Sequence, residues 1–158
     1  MAIGNAVLTV SAQCAGAGDY EQVKYYAKKL HIIIYGLMIV CCLGVIAVLP
    51  AVLHVYSLSA EATAMTEDII VYHGICCMII WPIAFTLPNV LRASNDVAFC
   101  MILSILSMWI CRIGMSYVLG VRMGFGVFGV WVAMTMDWVV RAIFFVLRYR
   151  SGKWQHQM

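Results

Sequence analysis

What most constrains this chain is a set of four uninterrupted apolar runs, Ile32–Leu53, Ile69–Leu91, Val97–Leu119 and Val127–Leu147. Each matches the roughly 20 helical residues needed to cross the hydrocarbon core of a bilayer. The first two runs hold no Asp, Glu, Lys or Arg, whereas the third carries Arg112 and the fourth carries Asp137 and Arg141. Inside lipid every backbone N–H and C=O needs a partner, and a helix provides one within the segment itself. The connections, residues 92–96 and 120–126, are short and rich in turn formers. They suit antiparallel helical hairpins and little else. The fold class expected is an all-α integral membrane protein, a polytopic bundle with four full transmembrane helices.

Composition excludes the alternatives. A soluble domain is about half apolar and one-quarter charged, but here 65% of residues are apolar, 11% are charged and the mean hydropathy is +0.96. So few charges cannot cover a water-facing surface, which removes soluble enzymes, nucleic-acid binders and extracellular disulfide scaffolds. Of the cysteines, Cys41, Cys42, Cys76, Cys77, Cys100 and Cys111 lie inside the apolar runs, and none forms a CxxC pair. Neighbours such as Cys41 and Cys42 project about 100° apart on a helix and do not chelate one ion, so they read as small packing residues. With no metal cluster, phosphate loop or nucleophile constellation, the chain offers no basis for an enzymatic or cofactor-dependent reading.

Charge placement orients the bundle. Lys24, Lys28, Lys29, Arg92, Arg148, Arg150 and Lys153 alternate onto one side, while the opposite loops hold Arg122 with Glu61, Glu67 and Asp68. This asymmetry assigns the lysine segment and the C-terminus to the cytoplasm of a cell membrane. Residues 16–31 are expected to form a cytoplasmic connecting helix and residues 148–158 a cytoplasmic tail. Tyr25, Tyr26 and the lysines suit a headgroup-level anchor, and equally a solvated connector with snorkelling lysines. Nothing in the sequence alone marks a lipid-specific site. Residues 1–15 are apolar but too short to cross, and read as the end of a truncated helix, with the chain a fragment in preference to one piece of a split transporter.

Three residues are costly in a bilayer. Arg112, Asp137 and Arg141 each cost about 2.5–3.5 kcal/mol at a helix centre, so each is expected to face protein or water. At 1.5 Å per residue, Arg112 lies ~10 Å from the outer boundary, Asp137 ~15 Å and Arg141 ~21 Å. Asp137 therefore sits between two guanidinium groups in depth, and the i,i+4 spacing puts it on one face with Arg141. Three readings stand: an ion pair locking the last two spans together, a proton- or cation-responsive carboxylate or anion-attracting site lining a transport cavity, or Arg141 snorkelling to the cytoplasmic face. In the second run, Pro82 and Pro88 each remove a helical hydrogen bond, leaving hinge and static kink both open. His73, near the outer end, is expected to be an interfacial polar residue.

The chain resembles the C-terminal half of a multidrug and toxic compound extrusion (MATE) transporter, from the end of the eighth helix through the twelfth. Gln13-Cys14-Ala15-Gly16-Ala17-Gly18-Asp19, followed by Lys24 to Lys29, is similar to the family's Q-x-x-GAGD helix end and cytoplasmic helix. Pro88-Asn89-Val90-Leu91-Arg92-Ala93-Ser94-Asn95-Asp96 is similar to its P-x-x-LRA-x-GD turn, with Asn95 in place of glycine. Asn tolerates a left-handed backbone better than most residues, so the turn is expected to survive. Gly129-Val130-Trp131-Val132-Ala133 with Asp137, Trp138 and Arg141 is similar to the last helix of bacterial members. The resemblance implies a lobe of a twelve-helix, two-lobe protein that exports cationic or amphipathic drugs in exchange for sodium ions or protons. Its partners would be those drugs, the lipid bilayer and the N-terminal lobe, with no nucleic acid. Gln13, Gly16, Gly18, Asp19, Pro82, Pro88, Arg92 and Asp96 then read as architecture. The competing readings are a lipid-linked-sugar flippase of the same superfamily and a self-contained four-helix scaffold or channel subunit.

Overall fold

The structure, a computed structural model, describes residues 2–57 and 59–156; the last two residues of the expected tail lie outside it. The first helix, α1 (Ala2–Gly16), ends where Gly18 takes a φ of +75° and the Asp19 N–H bonds back to the Cys14 carbonyl at 3.0 Å. Only glycine adopts that conformation without strain. Asp19 then caps the next helix, its Oδ1 accepting the Gln22 N–H at 3.0 Å and satisfying one orphan donor of the first turn.

That helix, α2 (Tyr20–Tyr56), is one continuous element of 37 residues. The connecting helix and the first span are thus not separate, because no glycine or proline interrupts residues 20–35. At 1.5 Å per residue the helix is roughly 55 Å long, far more than the hydrocarbon core. The first turns with Lys24, Lys28 and Lys29 therefore run beyond the core as an extension of the span.

The second span is divided at Ile80 into α3 (Ala60–Ile79) and α4 (Trp81–Ala93). Pro82, in the first turn of α4, supplies no N–H to the preceding turn, and the Tyr35 hydroxyl donates to the Ile79 carbonyl at 3.0 Å beside the break. Pro88 sits inside α4 without ending it. The two prolines are therefore unequal: Pro82 marks the break and Pro88 is absorbed.

After a turn in which Asn95 adopts a φ of +63°, the third span begins as α5 (Val97–Ser107). It widens to i→i+5 bonding over Met108–Gly114, returns briefly as α6 (Met115–Tyr117), and widens again over Val118–Arg122. The last span, α7 (Gly126–Arg150), is followed by a 3₁₀ turn over Lys153–His156. That turn brings Trp154 back onto the bundle: it is fully buried, stacks on Tyr149 at 5.3 Å and donates Nε1–H to the Tyr149 carbonyl at 2.8 Å. Trp154 thus anchors the tail to the bundle while Ser151 and Lys153 stay exposed, because an indole with a satisfied N–H has more to gain against protein than in water.

Four helical stretches, Tyr20–Tyr56, Ala60–Ala93, Val97–Arg122 and Gly126–Arg150, are long and apolar enough to cross a membrane. The chain is an all-α membrane helix bundle. α4 occupies its centre, with α1, α2 and α7 packed around it, so that Leu87, Val90 and Leu91 meet Val7, Val23 and Phe145 in the main core. The outward face of α2 remains exposed, including Ile32, Val40 and Val48, as expected for a surface whose solvent is lipid.

Candidate functional site

The last two helices meet in one antiparallel register, in which Ser107 lies opposite Asp137 and Ser104 opposite Arg141. Asp137 is completely buried. Its Oδ1 accepts from Arg141 Nε at 2.9 Å and from the Ser107 hydroxyl, which also lies 3.3 Å from the Asp137 carbonyl oxygen. Arg141 Nη2 donates to the Ser104 carbonyl at 3.1 Å. A buried charge survives only if paired and hydrogen-bonded, and this group is both. Oδ2 of Asp137 is buried and has no hydrogen-bond partner among the described residues, so one carboxylate oxygen is unused.

The same register separates Arg112 from the pair. Arg112 lies opposite Met134, with Nη2 3.3 Å from its Sδ, about one turn from Asp137 toward the start of α7. Depth along two helices does not specify register, which depends on the Gly120–Gly129 crossing and on the widened turns around Arg112. The structure thus brings Asp137 and Arg141 together and leaves Arg112 apart.

Beside this pair lies an aromatic chain. The Arg141 guanidinium sits 5.9 Å from the Phe85 ring, and Phe85 meets Trp138 edge-on at 5.7 Å and stacks on Trp81 at 5.4 Å. Trp81 and Phe85 also line a cavity of about 530 Å³ between α1, α2 and α4. Its walls are largely apolar, with Asn5, Thr86, Asn89 and Arg92 as polar points. Asn89 donates to the Gly4 carbonyl at 3.1 Å and accepts from Arg92 Nη1 at 3.4 Å. A cavity of that volume with a few placed polar groups has the character of a small-molecule site. His73 is wedged against Trp131 at 4.8 Å and Trp138 at 5.3 Å, with Nε2 3.3 Å from Cys77 Sγ.

The motif residues separate by role. Gln13 accepts through its carbonyl from the Ala17 N–H at 3.1 Å, and Gly16 precedes the Gly18–Asp19 reversal. Asp96 follows Asn95 as Asp19 follows Gly18, yet its carboxylate does not cap a helix. It is gripped by Arg148, Nε–Oδ2 2.7 Å and Nη2–Oδ1 3.1 Å, while the guanidinium lies 4.8 Å from the Phe99 ring. This two-pronged pair ties the turn before α5 to the end of α7. Sequence reasoning placed Arg148 in the cytoplasmic tail and missed this pairing.

Membrane-length helices, an ion pair whose carboxylate is fully buried and an apolar cavity one aromatic ring away define a polytopic α-helical membrane protein with internal polar chemistry. The chain belongs to the MatE family, whose profile matches residues 1–118. It is 36% identical to "Uncharacterized transporter YisQ" of Bacillus subtilis (strain 168) over 66 residues, 42% of this chain and 14% of that protein. It is 22% identical to "Probable multidrug resistance protein NorM" of Bacillus licheniformis over 144 residues, 90% of this chain and 32% of that protein. The chain thus spans at most about a third of the length of these relatives. No solved structure matches it significantly.

Proposed function

We propose that this chain forms part of the C-terminal lobe of a secondary transporter that exports cationic or amphipathic drugs in exchange for sodium ions or protons. It would act in the cell membrane with its C-terminus in the cytoplasm and an N-terminal lobe as its partner. The observation that carries the reading is Phe85, which faces the 530 Å³ cavity and also neighbours the Arg141 guanidinium of the buried pair. A ligand in the cavity and the charge state of Asp137 would then act on one shared ring. The break at Pro82, just ahead of Phe85, supports movement of that ring, as discontinuous helices serve many transporters. The MatE match and the similarity to a protein named for multidrug resistance support the same class.

The test is cation-driven ethidium efflux from cells expressing the complete reading frame, wild type against Asp137→Asn at matched membrane expression. Asparagine keeps the hydrogen bonds of the site and removes the charge. Loss of efflux is the expected result. Full efflux would make the pair purely structural and place coupling elsewhere.

A further inference from the structure

Lys24, Ala27, Lys28 and His31 recur at i, i+3, i+4 and i+7 and therefore share one face of α2. That face, with Ile83 and Leu87 of α4 and Tyr149 of α7, encloses a groove of about 380 Å³. Ala27, Ile83 and Leu87 give it apolar walls, and Lys24 and Lys28 line it along their side chains, whose flexible stems allow the ammonium groups to reach its edge. Lys24 is paired at 2.8 Å with Glu21, whose side chain is 85% exposed, so that bond is screened by solvent and readily exchanged. Lys28 has no ion-pair partner among the described residues. Lys29 is directed elsewhere, 5.7 Å from the Tyr25 ring. The His31 Nδ1 donates to the Ala27 carbonyl at 2.7 Å, which holds the imidazole against its own helix beside these apolar walls.

The position of the groove identifies its occupant. It lies where α2 leaves the hydrocarbon core, immediately before the exposed apolar face that starts at Ile32. A bilayer supplies at that depth an amphiphile with a phosphate at the rim and acyl chains below. We propose that the groove binds one anionic phospholipid of the lysine-side leaflet. Its phosphate sits between Lys24 and Lys28, and an acyl chain runs along Ile83 and Leu87. Charge complementarity selects an anionic head over a zwitterionic one, since each lysine near a membrane surface contributes about a five-fold preference. The assignment rests on membrane embedding alone and is independent of what the protein transports.

The test is native mass spectrometry of the full-length protein released from nanodiscs of equimolar phosphatidylglycerol and phosphatidylcholine. The wild type is expected to retain one phosphatidylglycerol in preference to phosphatidylcholine. Lys28→Gln should lower that preference about five-fold, and Lys28→Arg should preserve it. Ile83→Trp, which fills the groove from its apolar wall and leaves both lysines, should lower retention of the lipid. A titration with inorganic phosphate separates a lipid site from a simple anion site. Displacement of the lipid by millimolar phosphate would overturn the proposal, as would equal retention of phosphatidylcholine or unchanged retention in Ile83→Trp. None of these readouts involves efflux, so failure here and failure of the transport reading are distinguishable.

Discussion

Removing one member of the Asp137–Arg141 pair should be far more damaging than removing both. In Asp137→Leu, the guanidinium of Arg141 keeps its place with a side chain only 13% exposed but loses its counter-charge. It retains the Ser104 carbonyl, and the Ser107 hydroxyl falls back on the backbone carbonyl of residue 137, already 3.3 Å away. Stranding one partner of a buried pair costs about 3–5 kcal/mol, and low exposure leaves little screening to reduce it. The double substitution Asp137→Leu with Arg141→Met removes both charges and returns apolar volume to the interface. Such replacements are often neutral or stabilising, so the double variant should recover most of the loss. The assay is a double-mutant cycle on the purified full-length protein, using reversible SDS titration followed by tryptophan fluorescence. A coupling energy of about 2 kcal/mol or more is expected, at the upper part of the range for interacting neighbours. A double variant as unstable as the two single losses added together would refute the reasoning, because the two side chains would then be independent.

Two other substitutions probe the frame around this pair. A Cβ at Gly129 would lie 2.9 Å from both the Leu119 carbonyl carbon and the Gly120 nitrogen, and backbone does not yield as a side chain does. Gly129→Ala should therefore cost about 1–3 kcal/mol by overpacking, read in the same titration, and an unchanged midpoint would mean the hairpin crosses less closely. At the other end of α7, Arg148→Lys should fail to rescue what Arg148→Ala loses, since a lysine cannot grip both oxygens of Asp96. Limited proteolysis of the 92–96 turn would report it, and full protection in Arg148→Lys would reduce the pair to a simple charge attraction.

The left-handed turns illustrate how much could be read locally. Gly18 and Asn95 occupy positions whose backbone sign few other residues tolerate, and both adopt positive φ. The i,i+4 spacing likewise put Asp137 and Arg141 within reach, because helical geometry alone sets that distance. The partition of the aspartates was not legible: Asp19 caps its own helix, a bond three residues long, whereas Asp96 reaches Arg148 across 52 positions.

The amino-acid sequence by itself determined that this chain is a membrane helix bundle, where its helices reverse, and which residues are too costly to face lipid. These follow from run length, turn chemistry and the price of a charge in hydrocarbon, all properties of short stretches. The tertiary structure decided the rest: that Arg112 meets Met134 instead of Asp137, that Ser107 joins the buried pair, and that Phe85 stands between that pair and the cavity. Each depends on helix register and on the widened turns of the third span. Register is set by packing between elements, where a shift of one turn exchanges every partner while leaving each helix's own hydrogen bonds unchanged.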